Sequence, residues 1–358
     1  MQNRRGEGLT SPQAKEYQAM KNRLFLLNLA LQFLFLYAAA ASGVSLFIKN
    51  SVLGITSVFY LVNASYFFLF SIIAFCLFFP LDVYEGFILE HRYGLSRQNF
   101  FAWFKDSIKK GIVTFMFSLI MLEAVYFFLL KTERGWWFWA AVFYFLASVM
   151  ITRLFPKLIL PIFFKPAPLS SESPLRSSIF ELFKRFNIKL KDVYVLDFSR
   201  KTVKANAMVA GLGAAKQIYL SDTLVKDFTV AEVSAVLAHE IGHYVRHDTF
   251  KMVAVSLAGA FVSFWAADLV LRRIIPIFGF EGIFDIAALP LLLLVLITVG
   301  LVLLPLSNGF VRSLERSADL FSLKATRDKE NFISMMTKLG ERNYSDFSPS
   351  RITEIFLY

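Results

Sequence analysis

The residues best suited to chemistry lie in one short run, His239-Glu240-Ile241-Gly242-His243. On a helix, positions i and i+4 share a face, so His239 and His243 present two imidazoles to one divalent metal. Glu240 then stands beside the ion and not on it. From that place it takes a proton from an attacking water and returns it to a leaving amine, the task of a metallopeptidase base. Gly242 leaves no side chain between the ligands and permits close packing. The plain alternative is a chance His/Glu pattern on an amphipathic helix. Against it stands the scarcity of histidine: the chain has four, His91, His239, His243 and His247. Its single cysteine, Cys76, excludes both a disulfide framework and a two-cysteine zinc site.

A catalytic zinc site takes three protein ligands and keeps one position open. The third ligand expected here is Glu315, in Leu314-Glu315-Arg316-Ser317-Ala318-Asp319, a stretch of helical pattern. Asp319 lies four residues on, on the same face, where it can accept the free ring N–H of a zinc histidine. The competing reading is a carboxylate pair on a solvated helix. His247, at i+8 from His239, has rotated away from the i, i+4 pair and reads as a neighbour of the site or an interfacial residue, with a ligand role as the lesser alternative. His91 reads as structural. One Zn²⁺ per chain is the expected cofactor.

Elements to position these residues can be read around them. Thr229-Val230-Ala231-Glu232 is a capping box that opens the helix running through Val236 and Leu237 into the histidines. Ser173-Pro174 reads as an N-cap and first-turn proline, opening an amphipathic helix with Ile179, Leu182, Phe183 and Phe186 inward. Residues 193–196 and 217–220 read as short strands, and Asn206 to Ala210 as a third, followed by the turn glycines Gly211 and Gly213.

The rest of the chain belongs to a membrane. Hydrophobic residues make up 56% of 358, with 41 phenylalanines, more apolar surface than a soluble domain carries. Runs near 24–48, 56–80, 111–131, 136–155, 251–273 and 286–306 are long enough to span a bilayer as helices. The first 22 residues are polar, and no cleavable signal peptide is read there. The net charge of +11 gathers in the segments between runs. It is read as positive-inside topology, with no nucleic-acid partner, and places the polar blocks in the cytoplasm. Trp136, Trp137 and Trp139 are expected at the far interface of the fourth span. Asn28, Gln32, Asn63, Glu123 and Asp268 lie within the spans and suit either a wet interior or hydrogen bonds between helices. The organisation expected is a membrane domain over 1–155, a zinc domain over 156–250, a transmembrane hairpin over 251–306, and a segment over 307–358 with the third ligand. Spans five and six return the chain to the side of the histidines.

With both zinc motifs in view, the chain resembles the CAAX prenyl protease 1 family of membrane zinc endopeptidases. Supporting stretches are Glu90 to Gln98, Pro161 to Lys165 with Pro168-Leu169, Ala205-Asn206-Ala207-Met208, and Ser307-Asn308-Gly309-Phe310. The resemblance covers nearly the whole chain. It implies an all-α integral membrane protein of six to seven transmembrane helices enclosing a chamber, with a small cytoplasmic α+β zinc-metallopeptidase domain. It further implies that a peptide or lipidated peptide adds as a strand beside Asn206, Ala207 and Met208. Two departures stand out: six spans are read where eukaryotic members lead one to expect seven, and the chain stops at Phe356-Leu357-Tyr358, where the family continues into a His-Pro segment expected to steady the oxyanion. Asn308, Arg312 and His247 are the remaining candidates for that task or for supporting the site. A bacterial inner membrane is the expected location. The alternatives are a heat-shock-type membrane quality-control protease, whose pattern Asp248 resembles, and a non-catalytic membrane protein that keeps zinc for folding.

Overall fold

The computed structural model describes residues 11–132, 134–211 and 215–357; the expected turn residue Gly213 lies outside them. Helix α1 (Pro12–Ala41) opens on a cap in which Ser11 Oγ accepts from Ala14 N at 3.1 Å. The first apolar run does not continue to residue 48 as one span. Ser42 and a left-handed Gly43 (φ 78°) end α1, and α2 (Val44–Leu53) sets off in a new direction. The reason lies in Lys49: its ammonium is buried and pairs with Asp285 at 3.0 Å, which holds α2 against the loop after α11 (Asp248–Phe278).

Helix α3 (Phe59–Val83) passes through a π turn at Tyr84–Ile88 into α4 (Leu89–Arg92). The third span is α5 (Phe100–Lys131), capped by Asn99. The fourth, α6 (Trp136–Leu154), passes through a second π turn into α7 (Leu160–Phe163). After the sheet domain come α11 and α12 (Leu289–Thr326). Among the described residues six helices are long and apolar enough to cross a membrane, in agreement with the sequence reading. Their outward residues, such as Leu34 and Val302, are exposed, as lipid-facing positions must be.

The substantial contacts among these helices run in a circle: α12 on α1, α1 on α2 and α3, α3 on α5, α5 on α6, α6 on α11, and α11 back on α12. Polar residues inside the spans bond across this ring wall. Asn63 Nδ2 donates to Glu123 at 3.3 Å, joining α3 to α5. Trp136 Nε1 donates to Asp268 at 2.6 Å, joining α6 to α11. Trp136 is thus fully buried and no part of an aromatic belt; Trp139 remains exposed. Asn28 and Gln32 bond to each other within α1.

The remaining unit carries β1 (Pro166–Pro168), α8 (Pro174–Arg185), β2 (Lys189–Leu196), β3 (Ala207–Ala210), β4 (Ala215–Ser221), α9 (Asp222–Asp227) and α10 (Val230–Val245). Sheet order is β1-β2-β4-β3, with β2 and β4 parallel and both outer pairs antiparallel. Prolines confine β1 to an edge, since Pro cannot donate to a ladder. Ile179, Leu182 and Phe183 face inward as expected, against Val193, Ile218, Leu220, Val233 and Leu237. Phe186 is half-buried and meets Phe321 at 5.2 Å, while the Ser173 side chain makes no capping bond and Pro174 alone starts the helix. Phe321 and Ala325 of α12 and Leu339 of α13 (Lys329–Asn343) complete this core. A short helix, α14 (Arg351–Leu357), lies on α12.

Candidate active site

Helix α10 is fixed at its start before it delivers any chemistry. The capping box forms: Thr229 Oγ1 accepts from Glu232 N, and Glu232 accepts from Thr229 N at 2.8 Å. Buried Glu232 also takes bonds from Ser334 and Lys338, pinning α10 to α13. Val233, Leu237 and Ile241 bury one face. Gly242 lies against α12, where an added Cβ would stand 3.1 Å from Phe321 Cβ. That approach, with Ser322 Oγ donating to Ala235 O at 2.7 Å, brings α12 alongside the histidines.

Three candidate ligand atoms then converge. His239 Nε2 and His243 Nε2 are 3.2 Å apart, and Glu315 lies 3.2 Å from the first and 3.5 Å from the second. Their other ring nitrogens are engaged: His239 Nδ1 with Asp319 at 2.9 Å, and His243 Nδ1 with Asp248 at 3.0 Å. With each Nδ1–H donated to a carboxylate, both Nε2 atoms of the neutral rings are lone-pair acceptors turned toward a third acceptor, Glu315. Such a triangle suits a cation. Donors about 2.1 Å from a tetrahedral zinc ion stand about 3.4 Å apart, close to the spacing found. The residues therefore fit the metal the sequence implies.

Without a cation the same convergence raises proton affinity. Burial opposes protonation of His239, but Asp319 and Glu315 outweigh it and lift its pKa to about 9. Glu315 raises His243 likewise, against burial and with help from Asp248. Burial also pushes the Glu240 carboxyl up, against the pull of both histidines.

Of the other predicted site residues, His247 is not drawn in. It adopts a left-handed conformation (φ 56°), ends α10 and is exposed. A straight continuation through His247 is thus replaced by a break, which places buried Asp248 on His243. Asp248 also accepts from Arg246 at 2.7 Å and Lys251 at 2.8 Å, while Arg246 reaches Leu314 O at 3.1 Å, next to Glu315. Sequence reasoning missed this pair as site residues. Arg312 donates to Glu354 O of α14, and Asn308, two turns before Glu315, makes no hydrogen bond to the triangle among the described residues. Ala207 and Met208 lie in β3, the outer strand at one edge of the sheet, and Asn206 directly precedes it. His91 sits away from the site between Phe87 O and Gln98 O.

Residues 170–353, just over half the chain, match Peptidase family M48, which this geometry suits. The chain belongs to that family. Residues 10–165 of this M48 member also match the CAAX prenyl protease N-terminal family, described as five membrane helices; the structure has four long helices there, and the short α2. Among relatives, it is 29% identical over 347 residues to an uncharacterized metalloprotease of Bacillus subtilis, YhfN, covering 96% of this chain and 81% of that one. It is 28% identical to the CAAX prenyl protease 1 homolog of Arabidopsis thaliana (78% and 66% covered) and 32% identical to CAAX prenyl protease 1 of Saccharomyces cerevisiae (52% and 41%). The crystal structure of S. mikatae Ste24p shares the fold, with a TM-score of 0.84 at 23% identity over 97% of this chain and 85% of that one. This M48 protein is accordingly a multi-pass membrane metalloprotease. Neither the heat-shock reading nor a metal-holding non-enzyme is favoured.

Proposed function

We propose that the chain is a zinc endopeptidase that cuts membrane-associated peptides, with prenylated, CAAX-type C-termini as the leading substrate class. The observation that carries the reading is the acceptor triangle of His239, His243 and Glu315 with Glu240 beside it. In this reading the three residues hold one zinc ion, Asp319 and Asp248 fix the two rings, and Glu240 is the base. Zinc, when bound, supplies Lewis acidity to the scissile carbonyl and to the attacking water. Glu240, half-buried and with its proton affinity raised, accepts a proton at its carboxylate and passes it to the departing amine. In this reading the substrate backbone adds as a strand alongside Asn206, Ala207 and Met208, bonding to the main-chain groups of Ala207 that point away from β4. The helix ring in this reading encloses the chamber that the family resemblance implies, and a lipidated chain reaches the β3 edge through it.

Sidedness follows from charge. Basic residues crowd the sheet domain and its flanks, which supports a cytoplasmic active site in this reading. The match along 96% of the chain to a Bacillus subtilis protein supports a bacterial plasma membrane. Turnover of a fluorogenic peptide by purified protein, with a prenylated and an unprenylated version side by side, tests the proposal. Chelation should stop turnover and zinc restore it, and Glu240→Gln should stay inert while keeping its zinc. Equal inertness of wild type and variant, both zinc-loaded, would defeat the enzymatic reading; equal rates on both peptides would defeat the prenyl preference.

A further inference from the structure

The open edge of β3 is closed at one end by a side chain. Asn206 turns both main-chain groups toward Ser221: its C=O accepts from Ser221 N at 2.9 Å, and its N–H donates to Ser221 Oγ at 2.9 Å. Strand alternation then turns the main-chain groups of Ala205, Ala207 and Val209 to the side away from β4. At Ala205 that side is filled. Its N–H donates to Asn343 Oδ1 at 3.2 Å, and its C=O accepts from Asn343 Nδ2 at 3.2 Å. One carboxamide makes with Ala205 the two bonds that a residue of a neighbouring antiparallel strand would make. Because β3 is the outer strand, Ala207 and Val209 face no such strand among the described residues.

Asn343 is held in place from several directions. It is the last residue of α13, and Tyr344 after it takes a left-handed conformation (φ 51°). Tyr344 O accepts from Gln18 Nε2 at 2.7 Å, and the Tyr344 ring meets Tyr17 and Tyr93 edge-on at 5.7 and 5.8 Å. On the strand side, Lys204 pairs with Glu90 at 2.8 Å, fixing the chain just before Ala205. Both halves of the contact are therefore anchored to the membrane helices α1 and α4.

We propose that Asn343 is a register stop. It ends the edge offered to a substrate strand at Ala207, and so determines which peptide bond lies over Glu240. The proposal rests on the reading of β3 as the substrate edge. A bound strand slips in steps of two, because a slip of one reverses every side chain between faces. With the stop in place, the register that pairs with Ala205 is closed; without it, that register opens.

Mass-spectrometric mapping of the products from an extended synthetic peptide of small and apolar residues tests this. Wild type should cut at one dominant bond. Asn343→Ala should add a cut displaced by two residues, in protein whose zinc content and melting show it folded. Asn343→Asp keeps the size and the acceptor for Ala205 N–H but loses the donor, and covers the case in which the alanine variant folds poorly. It should show the same two-residue displacement. A folded, zinc-holding variant with the wild-type product pattern overturns the stop, even if its rate has fallen. Absence of any cleavage by wild type would instead remove the peptidase reading, and the stop with it.

Discussion

Glu240, His239 and His243 are legible from local spacing, and their predictions are local too. On the proposed reading Glu240→Gln removes the proton carrier without touching a ligand, so kcat/KM should fall about 10²- to 10⁴-fold with zinc content unchanged. Asp248→Asn weakens the acceptor that fixes His243 Nδ1. Loss of such a partner lowers metal affinity roughly 10- to 100-fold, to be read by competition with a chromophoric chelator. The histidines also set a pH dependence. Their pKa values are raised, His239 to about 9, against about 6.5 in an unfolded chain. After chelation, the imidazolium–carboxylate pairs therefore contribute fully below pH 6.5, and the contribution is lost as pH rises through about 9. Zinc competes with those same protons, so its affinity should climb from pH 6.5 to 9. An affinity that is flat across that window would contradict the geometry.

At the scale of elements, the site depends on how closely α10 and α12 approach. Gly242 gives that closeness, since a Cβ there would stand 3.1 Å from the Phe321 side chain. Gly242→Ala should thus destabilise the helix pair by about 1–3 kcal/mol, seen as a lower melting temperature and as easier loss of zinc to chelators. A better helix propensity for alanine works the other way by about 1 kcal/mol, so a net gain in stability would mean that Phe321 moves aside freely. The break at His247 matters equally. A left-handed non-glycine residue has no clear sequence signature, and without it α10 would run on and Asp248 would not reach His243.

For the molecule as a whole, the helix ring closes where α2 meets the loop between α11 and α12. Lys49 and Asp285 are both buried there, 3.0 Å apart, and Ser45 Oγ donates to Ala287 O beside them. Removing one partner of a buried pair costs roughly 3–5 kcal/mol, because the other charge is left uncompensated. Lys49→Ala should lower thermal stability in detergent accordingly. A double change, Lys49→Met with Asp285→Asn, should recover much of the loss. An unchanged melting temperature for the single variant would show that ring closure does not rest on this pair.

The sequence by itself determined what local spacing and hydropathy carry: two imidazoles one turn apart with a base between, a capped helix to hold them, six apolar helices, and a second motif with Glu315 and Asp319. Its helical pattern marks Glu315 as the expected third ligand, but cannot give the 3.2 Å that separates it from His239. That distance depends on packing between segments 76 residues apart. Arg246 read as an ordinary charge and Asp248 only as a likeness to another protease branch until a backbone break turned them inward, and Trp136 read as a lipid-interface residue until Asp268 claimed its N–H. Asn343 meets Ala205 across 138 positions, a contact no periodicity can encode. Burial and hydrogen bonding between distant segments are properties of the packed chain, and only the tertiary structure decided them.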